Sequence, residues 1–290
     1  HAVVGAHHSV LLLGTRLPSA TASNGTWTNT SGGAWAVTSN WSGTVAGGAG
    51  FSADFNTLNL TAPTTVSLDS EIAVGSLVFG DTTATADPSS GANYNGATGT
   101  TITPTGGWIV NDGGNGFNTL TLDVAAGSPV ITVNDLGSHY VAYGVTRKAA
   151  TISAVIEGAD GLTKNGVGAL ALSGANKFSG GLWIDAGTVT LSGTQGFTGG
   201  ISASGSTSRL EFTDDGNFGL NEVTLTNGAT LYRLGQAAGT VGTGRFLNLG
   251  TGGGVIGYGS IGSVLTMNHS LQGAGQFTLS ANGQGINLSG

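Results

Sequence analysis

Residues 161–181 read GLTKNGVGALALSGANKFSGG, and residues 185–193 read DAGTVTLSG. In both stretches apolar residues alternate with small or polar ones, as at Leu170 and Leu172, and glycines bound each run. Short alternation between turn-forming residues indicates half-buried β-strands. These stretches therefore predict strands joined by tight corners.

The same strand pattern recurs along the second half of the chain, about every twenty residues. The series of first apolar residues runs Ile131, Ile152, Leu170, Val189, Leu210, Leu231, Leu247 and Leu265. A second strand begins about half a period later, at Leu182, Ile201 and Val223. Residues that recur at one period lie above one another in a coil that repeats. The sequence therefore predicts an all-β fold, a parallel β-solenoid.

A third register lies between the two strands. Its members are Phe178, Phe197 and Phe218, each preceded by an amide at Asn176, Gln195 or Asn217. Equivalent strands of a parallel coil lie about 4.8 Å apart, so like residues stack. We predict an aromatic ladder at these phenylalanines and an apolar ladder at Leu170, Val189 and Leu210.

The N-terminal part is richer in tryptophan. Trp27, Trp35 and Trp41 lie among Asn, Gly and Thr. They predict an N-terminal Trp-rich β cap whose core seals the first rung, because aromatic side chains bury large areas. A sugar-stacking platform is the alternative. We expect an arm at residues 1–22, a cap with irregular rungs at 23–110 and a solenoid body at 111–290.

Composition excludes several classes of protein. Among 290 residues only 8 are Lys or Arg and the net charge is −7, so no basic stripe exists to bind a nucleic acid. Cysteine is absent, which excludes disulfides and thiolate chemistry. No apolar run approaches the roughly 18 residues of a membrane span. We therefore expect neither a nucleic-acid partner nor a membrane span.

Residues 161–181 and 185–193 together resemble the autotransporter-associated β-strand repeat. They share its order of GLTK, LxLSGxN, GG and GTVTL. NWSG at 40–43, DF at 54–55 and VGSLVFG at 74–80 are similar to the head of large proteins with such repeats. The resemblance implies export, a β-helical passenger region and a place outside the cell or at a bacterial surface. It carries over no catalytic residue.

We predict no catalytic residue, and the chain is not expected to be an enzyme. Polysaccharide-cleaving solenoids need paired carboxylates or calcium. Here Asp185 lies near a corner, and Asp214 and Asp215 lie in a turn before Gly216. Because aspartate favours turns, we interpret all three as solvated turn residues.

No metal or cofactor site is predicted either. Asp112 precedes a glycine turn that resembles one copy of a calcium-binding nonapeptide repeat, but such repeats bind only when stacked. His7 and His8 are adjacent, so they face opposite sides of a strand. His269 is isolated and is given no special role.

The predicted function is that of a non-catalytic extracellular structural protein that assembles into a surface fibre, layer or adhesive matrix. An uncapped solenoid end exposes a pairing edge, and an arm can add a strand to a neighbour. The expected assembly residues are Val3, Val4, Val10, Leu11, Leu12, Leu13, Ile286 and Leu288. Expected partners are further copies of the chain and a surface polysaccharide. The alternative is a carbohydrate-binding or polysaccharide-cleaving β-helix.

Overall fold

The computed structural model describes residues 22–84, 107–114, 116, 118–141, 144–234, 239–258, 264–281 and 286–288. Short 3-10 helices lie at Thr38–Asn40 and Asp215–Phe218, and the other regular elements are strands. The strands are β1 (Gly25–Trp27), β2 (Gly33–Ala34), β3 (Trp41–Ser42), β4 (Gly48–Phe55), β5 (Thr64–Ser67), β6 (Ile72–Phe79), β7 (Gly107–Asn111), β8 (Thr119–Leu122), β9 (Val130–Val133), β10 (Ser138–Val141), β11 (Gly144–Arg147), β12 (Ala149–Ile152), β13 (Val155–Glu157), β14 (Leu162–Asn165), β15 (Ala169–Leu172), β16 (Leu182–Ile184), β17 (Gly187–Leu191), β18 (Ile201–Ser204), β19 (Ser208–Phe212), β20 (Val223–Thr226), β21 (Ala229–Arg233), β22 (Gly239–Val241), β23 (Phe246–Leu249), β24 (Gly254–Tyr258), β25 (Leu265–Met267), β26 (Ser270–Gln272), β27 (Phe277–Ala281) and β28 (Ile286–Leu288).

Two long sheets run the length of the described chain. The first sheet has 13 strands on the path β26-β23-β20-β18-β16-β14-β9-β6-β4-β1-β3, with β8 and β13 beside it. The second has 10 strands in the order β2-β5-β7-β12-β15-β17-β19-β21-β24-β27, and a third joins β22, β25 and β28. Named strands pair in parallel except β1 with β3 and the hairpin β10–β11. From β14 to β21 the chain alternates between the first two sheets, so the fold is a parallel β-solenoid.

The strand registers follow the repeat in the middle of the solenoid. In the second sheet Leu170 lies opposite Val189, which lies opposite Leu210. In the first sheet Leu182 lies opposite Ile201, which in turn lies opposite Val223. The second series of strand starts is confirmed, since one coil of backbone separates each pair of residues.

The predicted first series was wrong towards its ends. Ile131 and Leu247 belong to the first sheet, and Leu265 belongs to the third. Both long sheets present the same alternating apolar pattern. Because the corners vary in length, spacing alone does not tell which sheet a strand joins.

The structure shows which residues extend the column of Leu170, Val189 and Leu210 in the second sheet. Ala150 lies opposite Leu170, and Ile256 lies opposite Leu231. Ile152 lies in the predicted sheet, but it lies opposite Leu172 and not, as predicted, opposite Leu170.

One continuous apolar core extends from Trp27 to Met267. At its N-terminal end Trp27, Trp35 and Trp41 are at most 5% exposed. The Trp41 ring lies 5.0 Å from each of the other two, centroid to centroid, and Phe55 packs against all three. The predicted cap core is confirmed, and the predicted alternative of a sugar platform at these tryptophans is wrong because their rings are buried.

Successive rungs come into close contact at the corners. A Cβ at Gly174 would lie 2.5 Å from the carbonyl oxygen of Ala154 in the rung before. Gly187 adopts φ +71°, and a Cβ there would lie 2.5 Å from the Gly166 oxygen. At Gly174 the close approach alone requires glycine, and at Gly187 the positive φ requires it as well.

The buried apolar column predicts a large cost for truncating Leu210, which is fully buried. Leu210→Ala should lower the free energy of unfolding by about 2–5 kcal/mol, because it leaves a cavity between two rungs. The measurement is urea unfolding followed by circular dichroism. Leu220→Ala is the matched control, since Leu220 is 94% exposed, and its change should be about 0.5 kcal/mol or less. Equal losses in the two variants would contradict the assigned register.

Candidate functional site

Buried amides connect successive rungs at one corner of the solenoid. The Asn176 side chain accepts a hydrogen bond from the Ile156 N–H at 2.9 Å and donates to Gln195 Oε1 at 2.7 Å. Gln195 donates in turn to the carbonyl oxygens of Gly193 at 2.9 Å and Gly174 at 3.2 Å. Asn176 and Gln195 are at most 3% exposed. Their amides therefore satisfy the polar groups that the corner buries.

The next rung modifies this arrangement. Asn217, in the 3-10 helix Asp215–Phe218, donates to the Ser192 carbonyl at 3.2 Å. Its side-chain oxygen accepts from the Thr213 N–H at 2.8 Å. Asn217 thus joins its rung to the preceding one through a backbone carbonyl instead of a side-chain amide, because the short helix changes the path of the chain.

The phenylalanines of the predicted ladder are all buried. The rings of Phe178 and Phe197 stack with centroids 4.4 Å apart and planes 10° apart. Phe218, at the end of the 3-10 helix, packs its ring at 4.6 Å from that of Phe212. The structure brings Phe178 and Phe197 together as a stacked pair and gives Phe218 a ring partner from the second sheet.

A lysine lies inside the apolar core, and only its place in the repeat could have indicated this. Lys164 is fully buried at an inward position of the first sheet, opposite Ile184. Its Nζ donates to the carbonyl oxygens of Asn165 and Gly166 at 2.8 Å and Ala186 at 3.1 Å. Desolvation lowers the pKa of this ammonium from 10.5 to about 7.

A histidine and an aspartate meet at another corner. His269 is 4% exposed, its ring packs against Gly242, and neither ring nitrogen has a hydrogen-bond partner in the described structure. Asp215 accepts from the Gly242 N–H at 2.6 Å, while its other carboxylate oxygen is buried without a partner. Burial lowers the pKa of His269, Asp215 opposes this shift, and Arg245 adds to it.

This corner corrects two predictions. Asp215 is not a solvated turn residue, and His269 is not isolated. Asp215, Gly242 and His269 are far apart in the sequence and come together only because three successive rungs stack.

The other predicted acidic residues lie at separate places. Asp185 is exposed at the corner after β16, while Asp214 accepts from the Gly216 N–H at 2.9 Å and caps a 3-10 helix after β19. Asp112 accepts from the Gly114 N–H at 2.9 Å, as in an ordinary turn. Across the residues that the structure describes, no three His, Cys, Asp or Glu side chains come together as metal ligands.

The predicted assembly residues fall into two groups. Val3, Val4, Val10, Leu11, Leu12 and Leu13, with His7 and His8, lie outside the described residues. Ile286 lies opposite Leu265 in the third sheet and packs against the core, and Leu288 lies opposite Met267. Ile286 and Leu288 are therefore already paired within the chain on one side of their strand.

Strands β26 and β27 carry apolar side chains that are more exposed than their neighbours in the same two core columns. Leu271 of β26 lies opposite Leu247, and Leu279 of β27 lies opposite Ile256. Leu247 and Ile256 are at most 1% exposed, whereas Leu271 is 39% and Leu279 is 43% exposed. Among the described strands, β26 and β27 each pair on one side only. We call these two strands, with their exposed apolar side chains, the terminal edge.

Two parallel sheets stacked around one core and tied by buried amides define the protein as a parallel β-solenoid. Residues 162–191 and 184–205, which cover β14 to β18, match the passenger-associated transport repeat. This part of the chain therefore carries the repeat, which implies secretion or display at a surface. No curated protein and no solved structure matches the chain significantly. In the described ranges, no helix has the length and hydropathy to cross a membrane.

Removing one amide of the buried ladder should destabilise the solenoid. Asn176→Leu leaves the Ile156 N–H and the Gln195 oxygen buried without partners, at a cost of about 1–3 kcal/mol each. The urea midpoint of unfolding measures the loss. Lys177→Ala is the matched control, because Lys177 is the exposed neighbour of Asn176. A midpoint equal to that of the control would show that the ladder contributes nothing.

The buried lysine should make stability depend on pH. Between pH 7 and 10.5 the unfolded chain binds a proton that the folded chain has released, so the free energy of unfolding rises with pH across this window. The contribution is complete above pH 10.5 and is lost as the pH falls through 7. Urea unfolding of the wild type and Lys164→Met at both limits of this window measures the difference. If the free energies of unfolding of the wild type and Lys164→Met differed by the same amount at pH 7 and pH 10.5, the lowered pKa would be contradicted.

Proposed function

We propose that this chain is a rigid, non-catalytic structural unit that functions outside the cell or at a bacterial surface. One observation carries the proposal: the same apolar core continues through the stacked rungs from Trp27 to Met267. An elongated body with a single continuous core resists bending, because each rung is bonded to its neighbours through backbone hydrogen bonds along two sheets.

Its polar interior is consistent with a structural role. The buried polar side chains at the repeat corners, Asn176, Gln195 and Lys164, all use their polar atoms to bond other parts of the chain. Asp185 and Asp214, the candidates for a cleaving site, lie at corners after strands of different sheets. A catalytic carboxylate pair must face one substrate bond across a short distance.

The proposal includes assembly of several copies into a fibre, layer or adhesive matrix. Leu271 and Leu279 of the terminal edge support it, because a strand added by a neighbouring copy would cover these exposed apolar side chains. The other end differs, since β3 runs antiparallel to β1 and the tryptophan cap is buried. A strand from the N-terminal arm of a neighbouring copy is therefore our proposed occupant of the terminal edge.

Electron microscopy of the purified chain tests this function. We expect elongated particles that join end to end, and Leu279→Lys should leave them single because it places a charge on the pairing edge. Leu220→Lys is the matched control, since it adds the same charge at an exposed site away from the edge. Single particles of the wild type at every concentration would refute assembly, and compact round particles would refute the rod.

Deletion of residues 1–22 tests the arm separately. If the arm supplies the added strand, the deletion should leave single rods of unchanged stability. Polymers that form as readily after deletion would remove the arm from the proposal, while the edge variant would still test assembly.

A further inference from the structure

A file of uncharged side chains runs along the outer surface of the first sheet. In register, its members are Thr163, Trp183, Ser202, Thr224, Asn248 and Gln272. We call it the Trp183 face. Adjacent members lie one rung apart, so the file extends for about 24 Å at 4.8 Å per rung.

Trp183 is held in place on this face while much of its surface stays open. It is 38% exposed, and its six-membered ring occupies the space that a side chain at residue 161 would fill. Gly161 therefore lets the indole rest against the preceding rung. An indole fixed in this way loses little conformational freedom when a ligand stacks on it.

A second aromatic ring lies on the same face. Phe246 is 38% exposed and belongs to β23, two residues before Asn248 in the same strand. Three rungs separate β23 from β16, which carries Trp183. Two exposed rings thus stand about 14 Å apart along the solenoid axis.

Between the two rings the file itself offers neutral hydrogen-bonding groups, and the exposed Glu222 lies beside it, one residue before β20. The hydroxyls of Ser202 and Thr224 are half-buried and have no hydrogen-bond partner among the described residues. The Asn248 amide makes one long contact, 3.4 Å, with Glu222. These groups are available to a ligand that offers hydroxyls.

The outer surface of the second sheet is different. There Arg209 pairs with Glu211 at 2.6 Å and lies 3.6 Å above the Tyr232 ring. Thr190 donates to Glu211 at 2.9 Å. Those polar side chains are bonded to one another, whereas Ser202 and Thr224 of the Trp183 face have no hydrogen-bond partner among the described residues.

We propose that the Trp183 face binds a neutral polysaccharide chain that lies along the solenoid axis. The exposed C–H faces of the sugar rings stack on Trp183 and Phe246, and their hydroxyls bond Ser202, Thr224 and Asn248. The absence of charge from the file disfavours an anionic partner. This binding goes beyond the structural role and does not depend on assembly of the chain.

Native gel electrophoresis through soluble polysaccharides tests the proposal. The probes are hydroxyethylcellulose, glucomannan and dextran as neutral chains, with alginate as the anionic comparison. We expect at least one neutral chain to retard the wild type, and Trp183→Ala to weaken that binding about tenfold. Val167→Ala, at an exposed corner position away from the face, should bind like the wild type.

A second variant keeps the test independent of folding effects at Trp183. Thr224→Glu adds a charge at an outward position in the middle of the file and leaves the core unchanged, so it should also weaken binding. Thermal unfolding confirms that both variants are folded. The proposal is overturned if no neutral chain retards the wild type, if alginate alone does so, or if both folded variants bind as the wild type does. These outcomes are separate from particle shape and length in the microscope.

Discussion

The approach of each corner to the corner of the preceding rung is the constraint on which the rest of this structure depends. At Gly174 and Gly187 the backbone passes so close to a carbonyl of the previous rung that no side chain fits. This proximity allows the strands on either side to form parallel hydrogen bonds in both sheets at once. It also explains why a chain with 54 glycines folds into an ordered body.

Close corners bury backbone groups, and the protein satisfies them with side chains from neighbouring rungs. Asn176 and Gln195 bond the backbone and each other, and Lys164 caps three carbonyls with its ammonium. These contacts stabilise the stack without any disulfide. They also differ from rung to rung, since a 3-10 helix carries Asn217 and the corner of His269 and Asp215 keeps unpaired buried atoms.

The side chains inside the solenoid stabilise the stack, so the functions that we propose depend on exposed side chains outside the core. The terminal edge continues the two core columns into solvent at Leu271 and Leu279. The two sheets differ on the outside: one holds a charged cluster around Glu211, and the other presents the neutral Trp183 face. Assembly and ligand binding can therefore use different parts of one rigid body.

The sequence by itself determined the all-β class, the parallel coil, the tryptophan cap and the register of Leu182 with Ile201, because each depends on local alternation and a constant period. Only the tertiary structure decided which sheet takes Ile131 and Leu247, since both sheets present one pattern and corner lengths vary. Likewise, the meeting of Asp215 with His269 and the exposure of Trp183 depend on which residues stack across rungs, and no spacing along the chain records that.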